Sequence, residues 1–234
     1  MFDIVTIVKN DEVGFDRTLT SLREQTFTNF RHIVIDGSES KHKLNESLLL
    51  PGTCYRSGKD AGIYDAMNKS LRFVSSESFV LFLNAGDILV NKDTLLNVSA
   101  KVSDSASIYY GGHIVSSNLR HVQARDYLNF SRGMPFSHQS VFCPATHLID
   151  DQFNTHFRLA ADFDLFYNLS RRSTRFINLD MAVSIIEVGG ISDLLRKEVL
   201  NEWKTILGNN GSHFYLNYRL VVEHLKKLFT DFRH

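Results

Sequence analysis

The chain has 234 residues, of which 43% are hydrophobic and 22% are charged, a composition typical of a globular protein with one ordinary core. Its 26 lysines and arginines are matched by 26 aspartates and glutamates, so no excess charge attracts a polyanion and we expect no nucleic-acid partner. The two cysteines have neither metal nor disulfide spacing, no signal peptide is evident, and no segment approaches the ~20 apolar residues of a membrane span. We therefore expect a cytoplasmic protein, or one that lies peripherally on the inner face of a membrane.

Strand and helix patterns alternate over the first 104 residues. A continuous β-branched run at 4–8 predicts a strand that is covered on both faces. The helical spacing of Phe15, Leu19 and Leu22 predicts the helix that follows. The other elements predicted here are a strand at 32–35, a short polar helix at 41–49, a strand at 53–56, a helix at 66–74 and a strand at 79–83. This alternation predicts an α/β fold with a mainly parallel sheet flanked by helices.

The pattern changes after Asp104. Residues 107–125 contain alternating segments with glycine and serine turn signals, and they predict antiparallel strands. A helix is expected to begin near Ala161, and residues 174–193 predict a pair of strands that runs into a glycine loop. From Leu194 onward the pattern is helical only. We therefore predict one domain over 1–193 and a C-terminal helical extension over 194–234.

Three polar clusters come directly after predicted strands. They are Lys9-Asn10, Asp36-Gly37-Ser38 and Asn84-Ala85-Gly86-Asp87. In open α/β sheets, ligands bind outside the carboxyl ends of the strands. Each cluster alone is equally typical of ordinary turn formers. Three of them, together with the glycine-flanked segment 58–70, favour a ligand site at this edge of the sheet.

Seven segments carry a family resemblance: IVTIVKN, HIVIDGSES, DAGIYDAMNKS, FLNAGD, SHQSVF, AADFDL and GGIS. By their order and spacing over residues 2–193, the chain resembles the family-2 glycosyltransferases, above all the bacterial branch that builds exopolysaccharide, colanic-acid-type or lipopolysaccharide repeat units. The resemblance implies a GT-A fold and a nucleotide-diphosphate sugar donor, with a UDP-sugar favoured. It also implies Mn²⁺ or Mg²⁺, a glycan or lipid-linked acceptor, and inversion of the anomeric centre.

The resemblance places the nucleotide at the ends of the first two strands. It implies that Asp36 recognises the base, since a carboxylate can accept a hydrogen bond from a ring N–H, and that Thr6, Val8 and Asn10 line the same pocket. The alternative for Asp36 is a side chain that caps the following turn.

Segment 58–70 is expected to approach the donor. Gly62 allows the backbone to come close to a ligand, and the helix start that follows offers N–H groups to an anion. Asp65 and Asn68 are then expected to face the nucleotide and the sugar. The alternative for Asp65 is a cap on its own helix.

The metal motif departs from the common family pattern. Many members have Asp-x-Asp-Asp where this chain has Asn84-Ala85-Gly86-Asp87, so Asp87 is the one carboxylate left to hold the cation. Magnesium can be bound through one or two carboxylates plus substrate phosphates, so one such ligand is workable. Asn84 is expected beside the donor.

Catalysis by inversion requires a carboxylate that deprotonates the acceptor hydroxyl. AADFDL offers Asp162 and Asp164, and the match to the family motif favours Asp162 as the base. An N-terminal helix cap is the alternative for Asp162. The resemblance places His138 and Gln139 near the donor or acceptor sugar. The glycine loop at 189–192 is expected either to fold over the diphosphate or to act as a hinge.

Two apolar stripes mark the C-terminal extension: Leu195, Val199, Trp203 and Ile206, then Phe214, Tyr218, Val221, Leu225 and Leu228. We expect both to pack on the catalytic domain or on a partner subunit of a homo-oligomer. The alternative is a helix on a membrane surface, near a lipid-linked acceptor.

Two other functions stay open. A sugar nucleotidyltransferase would need a glycine- and lysine/arginine-rich phosphate loop after the first strand, where this chain has the acidic VKNDEVGFD. A catalytically idle nucleotide-sugar-binding or assembly module would explain the missing aspartates at positions 84 and 86.

Overall fold

The structure, a computed structural model, describes residues 1–39, 44–208 and 213–231. Strands β1 to β9 span, in chain order, Phe2–Val8, Phe30–Asp36, Cys54–Ser57, Phe79–Phe82, Ile88–Leu89, Ile108–Val115, Arg120–Val122, Val141–Pro144 and Phe176–Ile186. Helices α1 to α8 span Glu12–Arg23, Ile63–Ser70, Thr94–Ser99, Ala145–Asp151, Ala161–Ser170, Ile191–Leu194, Arg196–Leu207 and His213–Asp231. Short 3-10 helices span Glu46–Leu48, Tyr127–Arg132 and His138–Ser140. The α/β fold predicted from the sequence is confirmed.

The strands form one mixed sheet in the order β3-β2-β1-β4-β8-β6-β9-β5, with β7 paired to β6. Strands β1 to β4 are parallel, and β8 runs antiparallel to β4 and β6. Because β2, β1 and β4 are parallel neighbours, the segments that follow them lie at one edge of the sheet. The three polar clusters that follow these strands are therefore neighbours in space.

Helices cover both faces of the sheet. All seven side chains of β1 are buried, as its continuous apolar run predicts. Val5 and Ile7 share one core with Met67 of α2, whereas Val8 packs on the other face with Phe15 and Leu19 of α1. Burying a valine or isoleucine side chain stabilises the fold by about 1.5–3 kcal/mol. Burial on both faces therefore makes the parallel strands a rigid platform for the loops at their carboxyl ends.

Three sequence-based boundaries differ in the structure. The helix expected at 66–74 begins at Ile63 and ends at Ser70. Of the helix expected at 41–49, the described residues 44–49 contain the 3-10 turn Glu46–Leu48, and residues 41–43 lie outside the described part of the structure. The strand pair expected within 174–193 is the single strand β9, which pairs with β6 on both sides of a local irregularity and with β5 only after it. Asp180, with φ of +50°, lies at that irregularity, so its turn-like sequence makes a kink rather than a hairpin.

The first apolar stripe of the C-terminal extension packs on the domain predicted over 1–193. Val199 and Trp203 of α7 are buried, and the Trp203 ring stacks on Phe163 of α5 with ring centroids 5.1 Å apart. Glu202 accepts hydrogen bonds from the backbone N–H groups of Arg158 and Leu159, at 3.1 and 3.0 Å, just before α5. Helix α7 therefore supports the start of the helix that carries Asp162.

The described side chains of the second stripe do not pack on the domain predicted over 1–193, whereas the expected contact with a partner subunit stays a prediction. Phe214, Tyr218 and Val221 are exposed, at 81%, 60% and 57% of their surface, because α8 turns Leu216 inward instead. The side chains of Leu225 and Leu228 lie outside the described part of the structure. None of the helices in the described residues is long and apolar enough to cross a membrane.

Candidate active site

The loops after β1 and β2 are joined by hydrogen bonds. The backbone N–H of Asn10 donates to Ser38 Oγ at 2.7 Å, and the N–H of Glu39 donates to Asn10 Oδ1 at 3.0 Å. Asn10 has a φ of +55°, a conformation that asparagine tolerates better than most residues. Asn10 is exposed, and its predicted place beside the donor stays a prediction.

Asp36 fixes the loop that follows β2. Its side chain is fully buried and accepts hydrogen bonds from the N–H of Ser38 at 2.8 Å, the N–H of Leu44 at 3.3 Å and the hydroxyl of Tyr55 at 2.7 Å. Burial raises the pKa of Asp36, but the bonds from Ser38 and Tyr55 outweigh burial and leave that pKa below its usual value. Asp36 thus organises this loop, as the turn-cap alternative expects. The side chain has no exposed surface, so contact of Asp36 with a nucleotide base stays a prediction.

Thr6 and Val8 do not line a pocket, so this part of the sequence-based prediction is wrong. Thr6 is fully buried and its Oγ1 lies 3.1 Å from His32 Nε2, inside the sheet–helix interface. Val8 is buried in the cluster with Phe15 and Leu19. Side chains two apart on a strand share one face, and here that face is covered by α1.

At the start of α2, the backbone of Gly62 is placed to contact a ligand, but the side chain of Asp65 is not. Gly62 has a φ of +138°, and a Cβ at this position would meet nothing within 4 Å, so the backbone borders open space. Asp65 instead closes its own loop, because it accepts from the N–H of Ala61 at 2.8 Å and pairs with Lys69 Nζ at 2.7 Å. The bond from Lys69 lowers the pKa of Asp65. Asp65 therefore closes the loop that precedes α2, since its N–H partner Ala61 lies outside the helix.

Asn68 is wrongly predicted as a donor contact. Its Nδ2 donates to the carbonyl oxygen of Phe153 and its Oδ1 accepts from the N–H of the same residue, both at 2.8 Å. An amide side chain has the same donor and acceptor pair as a peptide group, so it can dock a loop in this way. Both functional groups of Asn68 are thereby used in holding residue 153.

Residues Asn84 to Asp87 form a tight turn at the end of β4. The N–H of Asp87 donates to the carbonyl oxygen of Asn84 at 3.0 Å, and Gly86 has a φ of +96°. Thr18 of α1 holds the turn: its Oγ1 accepts from the N–H of Gly86 at 3.1 Å and lies 2.7 Å from the carbonyl oxygen of Asp87. The sequence reasoning missed Thr18, whose only signal is a polar residue on the buried face of a helix.

Asp87 is almost inaccessible, with 5% of its surface exposed. Its Oδ1 accepts from the N–H of Glu187 at 3.0 Å and its Oδ2 accepts from Gln139 Nε2 at 3.1 Å. Burial raises the pKa of Asp87 to about 6, although these bonds oppose the rise. Its turn partner Asn84 has a buried Oδ1 without a hydrogen-bond partner among the described residues. Glu187, which the sequence reasoning also missed, lies at the same turn.

His138 connects this turn to Asp162. Its Nε2 lies 3.2 Å from Asn84 Nδ2 and its Nδ1 lies 2.9 Å from Asp162 Oδ2. Because an amide nitrogen only donates, Nε2 accepts from Asn84, and the neutral ring therefore carries its proton on Nδ1 and donates it to Asp162. Tyr64 donates its hydroxyl to Asp162 Oδ1 at 2.9 Å. Asn84, His138, Asp162 and Tyr64 thus form one continuous chain of hydrogen bonds.

Asp162 is suited to be ionised at neutral pH. Burial raises its pKa, but the hydrogen bonds from His138 and Tyr64 bring that pKa below its usual value. Asp162 is the second residue of α5, and its Oδ1 accepts from the N–H of Phe163, so the N-cap interpretation is wrong. Asp164 accepts a hydrogen bond at 3.0 Å from Nδ2 of Asn168, which lies one turn further along α5. Only Asp162 of the two takes part in the hydrogen-bonded chain.

His138 and Gln139 bring the two predicted carboxylates together, since His138 contacts Asp162 and Gln139 contacts Asp87. No group of three or more histidine, cysteine, aspartate and glutamate side chains arranged for a metal occurs among the described residues. A cation that also binds substrate phosphates needs only one or two protein carboxylates. Asp87 with the unpartnered Asn84 Oδ1 fits such a cation.

Comparison with known proteins identifies the family. Residues 3–163 match the family model described as Glycosyl transferase family 2. Proteins named PGL/p-HBAD biosynthesis glycosyltransferase, from Mycobacterium bovis and Mycobacterium tuberculosis, are 30% identical over 217 residues, which cover 86% of this chain and 82% of the relative.

Solved structures share the fold. The crystal structure of S. aureus TarS 1–349 in complex with UDP has a TM-score of 0.68 at 19% identity, over 94% of this chain and 69% of that one. The mannosyltransferase PcManGT from Pyrobaculum calidifontis, in complex with GDP-Man and Mn²⁺, has a TM-score of 0.64 at 14% identity, over 94% of this chain and 68% of that one. The chain therefore belongs to glycosyl transferase family 2, and it is a glycosyltransferase with a GT-A fold.

Proposed function

We propose that this glycosyltransferase moves a sugar from a nucleotide-diphosphate sugar to a hydroxyl group of a glycan or lipid-linked acceptor, with inversion of the anomeric centre. The observation that carries the proposal is the link between Asp162 and Asp87 through His138 and Gln139, at the carboxyl end of β4. An ionised carboxylate for the acceptor and a second one for the donor thereby meet at one edge of the sheet.

A UDP-sugar is the donor we propose. Structural neighbours of the chain were solved with UDP, with UDP-GlcNAc and with GDP-Man and Mn²⁺. In this chain the joined loops of Asn10 and Ser38 would border the nucleotide, with Asp36 contacting its base. The open space at Gly62, beside the first N–H groups of α2, suits the diphosphate.

The transfer step uses Asp162 as general base. The acceptor oxygen attacks the anomeric carbon while the bond from that carbon to the diphosphate breaks, and the nucleoside diphosphate leaves with the electron pair. The acceptor proton passes to Asp162, whose lowered pKa keeps it ionised beforehand. His138 and Tyr64 hold the carboxylate in place by hydrogen bonds to its two oxygens. A Mn²⁺ or Mg²⁺ ion, held by Asp87 and Asn84 Oδ1, would neutralise charge on the diphosphate.

The acceptor belongs to bacterial surface glycan synthesis in this proposal. Support comes from the curated relatives, whose name refers to PGL/p-HBAD biosynthesis. The exposed side chains of Phe214, Tyr218 and Val221 on α8 leave two predictions in place: contact with a membrane surface that carries a lipid-linked acceptor, or contact with another copy of the chain. An idle binding module or a nucleotidyltransferase is less favoured, because neither would need the hydrogen bonds that link Asn84, His138, Asp162 and Tyr64.

The variant Asp162→Asn tests the proposal. We expect it to lower transfer from a UDP-sugar by about 10²–10⁴-fold, because an amide cannot accept the acceptor proton. Binding of the donor should persist, and it can be measured as a rise in the melting temperature when UDP- and GDP-sugars are added with Mn²⁺.

Asp164→Asn is the matched control, since it removes a half-buried carboxylate two residues away on α5 without touching the hydrogen bonds of Asp162. It should keep turnover within a few-fold of the unmodified protein. Near-normal turnover of Asp162→Asn would exclude Asp162 as the base. If no nucleotide sugar stabilises the unmodified protein, the transferase proposal itself fails.

A further inference from the structure

Glu187 lies beside the turn formed by residues 84–87, although it is 100 residues from Asp87 in sequence. It follows β9, and its backbone N–H donates to Asp87 Oδ1 at 3.0 Å. This bond fixes the position of residue 187 relative to the carboxylate that we assign to the cation.

The Glu187 carboxylate occupies the space where a side chain at position 86 would begin. A Cβ on Gly86 would lie 2.6 Å from Glu187 Oε2, and the φ of +96° at Gly86 disfavours any other residue. Family members with Asp-x-Asp-Asp have a carboxylate at this position. In this chain position 86 is a glycine, and the carboxylate of Glu187, which follows β9, occupies the adjoining space.

Arg17 of α1 neutralises Glu187 in this structure. The guanidinium forms an ion pair with Glu187 Oε2, and both side chains are about half exposed. Exposed ion pairs of this kind contribute little to stability, so the guanidinium can be exchanged for another cation at small cost. The Asn84 Oδ1 on the same turn is buried and has no partner among the described residues.

We infer that Glu187 supplies the second carboxylate for the divalent cation of this site, and that Arg17 pairs with Glu187 when the cation is absent. The inference rests on the proposed function, in which Asp87 holds the cation against the donor diphosphate. Two carboxylates, an amide oxygen and phosphate oxygens form the all-oxygen donor set that Mg²⁺ and Mn²⁺ prefer. Glu187 would thereby supply the carboxylate that family members with Asp-x-Asp-Asp have at position 86.

Binding of Mn²⁺ tests this without any measurement of activity. The full chain, saturated with UDP, is titrated with Mn²⁺, and free Mn²⁺ is followed by its electron paramagnetic resonance signal. We expect Glu187→Gln to weaken Mn²⁺ binding by at least about tenfold. Arg17→Gln should strengthen it by a few-fold, because it removes the competing cation. Glu77→Gln, which changes an exposed glutamate in the turn before β4, is the matched control and should leave the affinity unchanged.

The opposite responses of the two variants separate a ligand from a merely structural residue, since loss of the ion pair alone would affect both variants alike. Unchanged Mn²⁺ affinity in Glu187→Gln, with binding abolished in Asp87→Asn, would overturn this inference and leave the proposed function intact. Absence of Mn²⁺ binding by the unmodified chain would instead contradict the metal part of the proposed function. The thermal shift produced by UDP reports whether each variant is folded.

Discussion

His138 illustrates how one side chain can orient another for catalysis. Its neutral ring accepts from Asn84 and donates to Asp162, so its tautomer is set by the turn that follows β4. The resemblance of the SHQSVF segment placed this histidine near a sugar. Its partners, however, are protein groups, and its place in the mechanism is therefore that of a positioning residue for Asp162.

We expect His138→Ala to lower kcat by about 10–100-fold with little change in the KM for the donor, because the loss falls on the orientation of the base. His138→Asn should restore part of the activity, since its amide can donate to Asp162. Steady-state kinetics with a UDP-sugar provide the measurement. Equal kcat in the alanine variant and the unmodified enzyme would show that Asp162 needs no help from His138.

Other residues show where pattern reasoning fails at this scale. Asp36, Asp87 and Asp162 could be picked out because carboxylates after buried strands or at a helix start are chemically conspicuous. Thr6 and Asn68 were expected at the donor, yet they bind His32 and the backbone of Phe153. A polar side chain near a strand end or helix start is equally able to satisfy a buried group, and only its partner distinguishes the two roles.

Strand β2 brings a titratable group into the interior. His32 is buried beside Thr6 and stacks on Phe15, with ring centroids 6.3 Å apart. Burial lowers its pKa from the ordinary value of 6.5 to about 3. The folded protein therefore binds a proton at this site only near pH 3, whereas the unfolded chain binds it below about pH 6.5.

The stability that neutral His32 provides is complete above about pH 6.5 and is lost as the pH falls toward 3. Near the middle of this window the loss is about 1.4 kcal/mol per pH unit. We expect His32→Gln to flatten the fall in the free energy of unfolding between pH 6.5 and 4.5, as measured by urea denaturation. His121→Gln, at an exposed position on β7, should reproduce the unmodified profile. Parallel profiles for His32→Gln and the unmodified protein would refute this account.

In the molecule as a whole, the C-terminal helices and the catalytic domain share one core. Trp203 of α7 lies against Phe163, the neighbour of Asp162 in α5. The predicted boundary at residue 193 therefore separates two parts of the sequence whose apolar side chains are packed together. Helix α7 therefore contributes to the site by packing against α5, the helix that carries Asp162.

Trp203→Ala should destabilise the protein by about 3–5 kcal/mol, because it leaves a cavity beneath α5. Urea denaturation followed by circular dichroism measures the change. Trp203→Phe should lose clearly less, since it retains a ring against Phe163. Phe214→Ala removes an exposed aromatic side chain from α8 and should change stability by no more than about 0.5 kcal/mol. A loss as large in Phe214→Ala as in Trp203→Ala would contradict the packing described for the two helices.

Local patterns were enough to foresee the parallel strands, the helices between them and the edge of the sheet that carries the polar loops. The run at 4–8 and the clusters after β1, β2 and β4 supplied this information, because periodicity and turn chemistry act between neighbours in sequence. The partners of the site residues could not be foreseen in the same way. Glu187 meets Asp87 across 100 residues and Phe153 meets Asn68 across 85, and such contacts depend on how β9 pairs within the sheet and how α4 packs against it. Folding brings these side chains together through packing that no local pattern encodes.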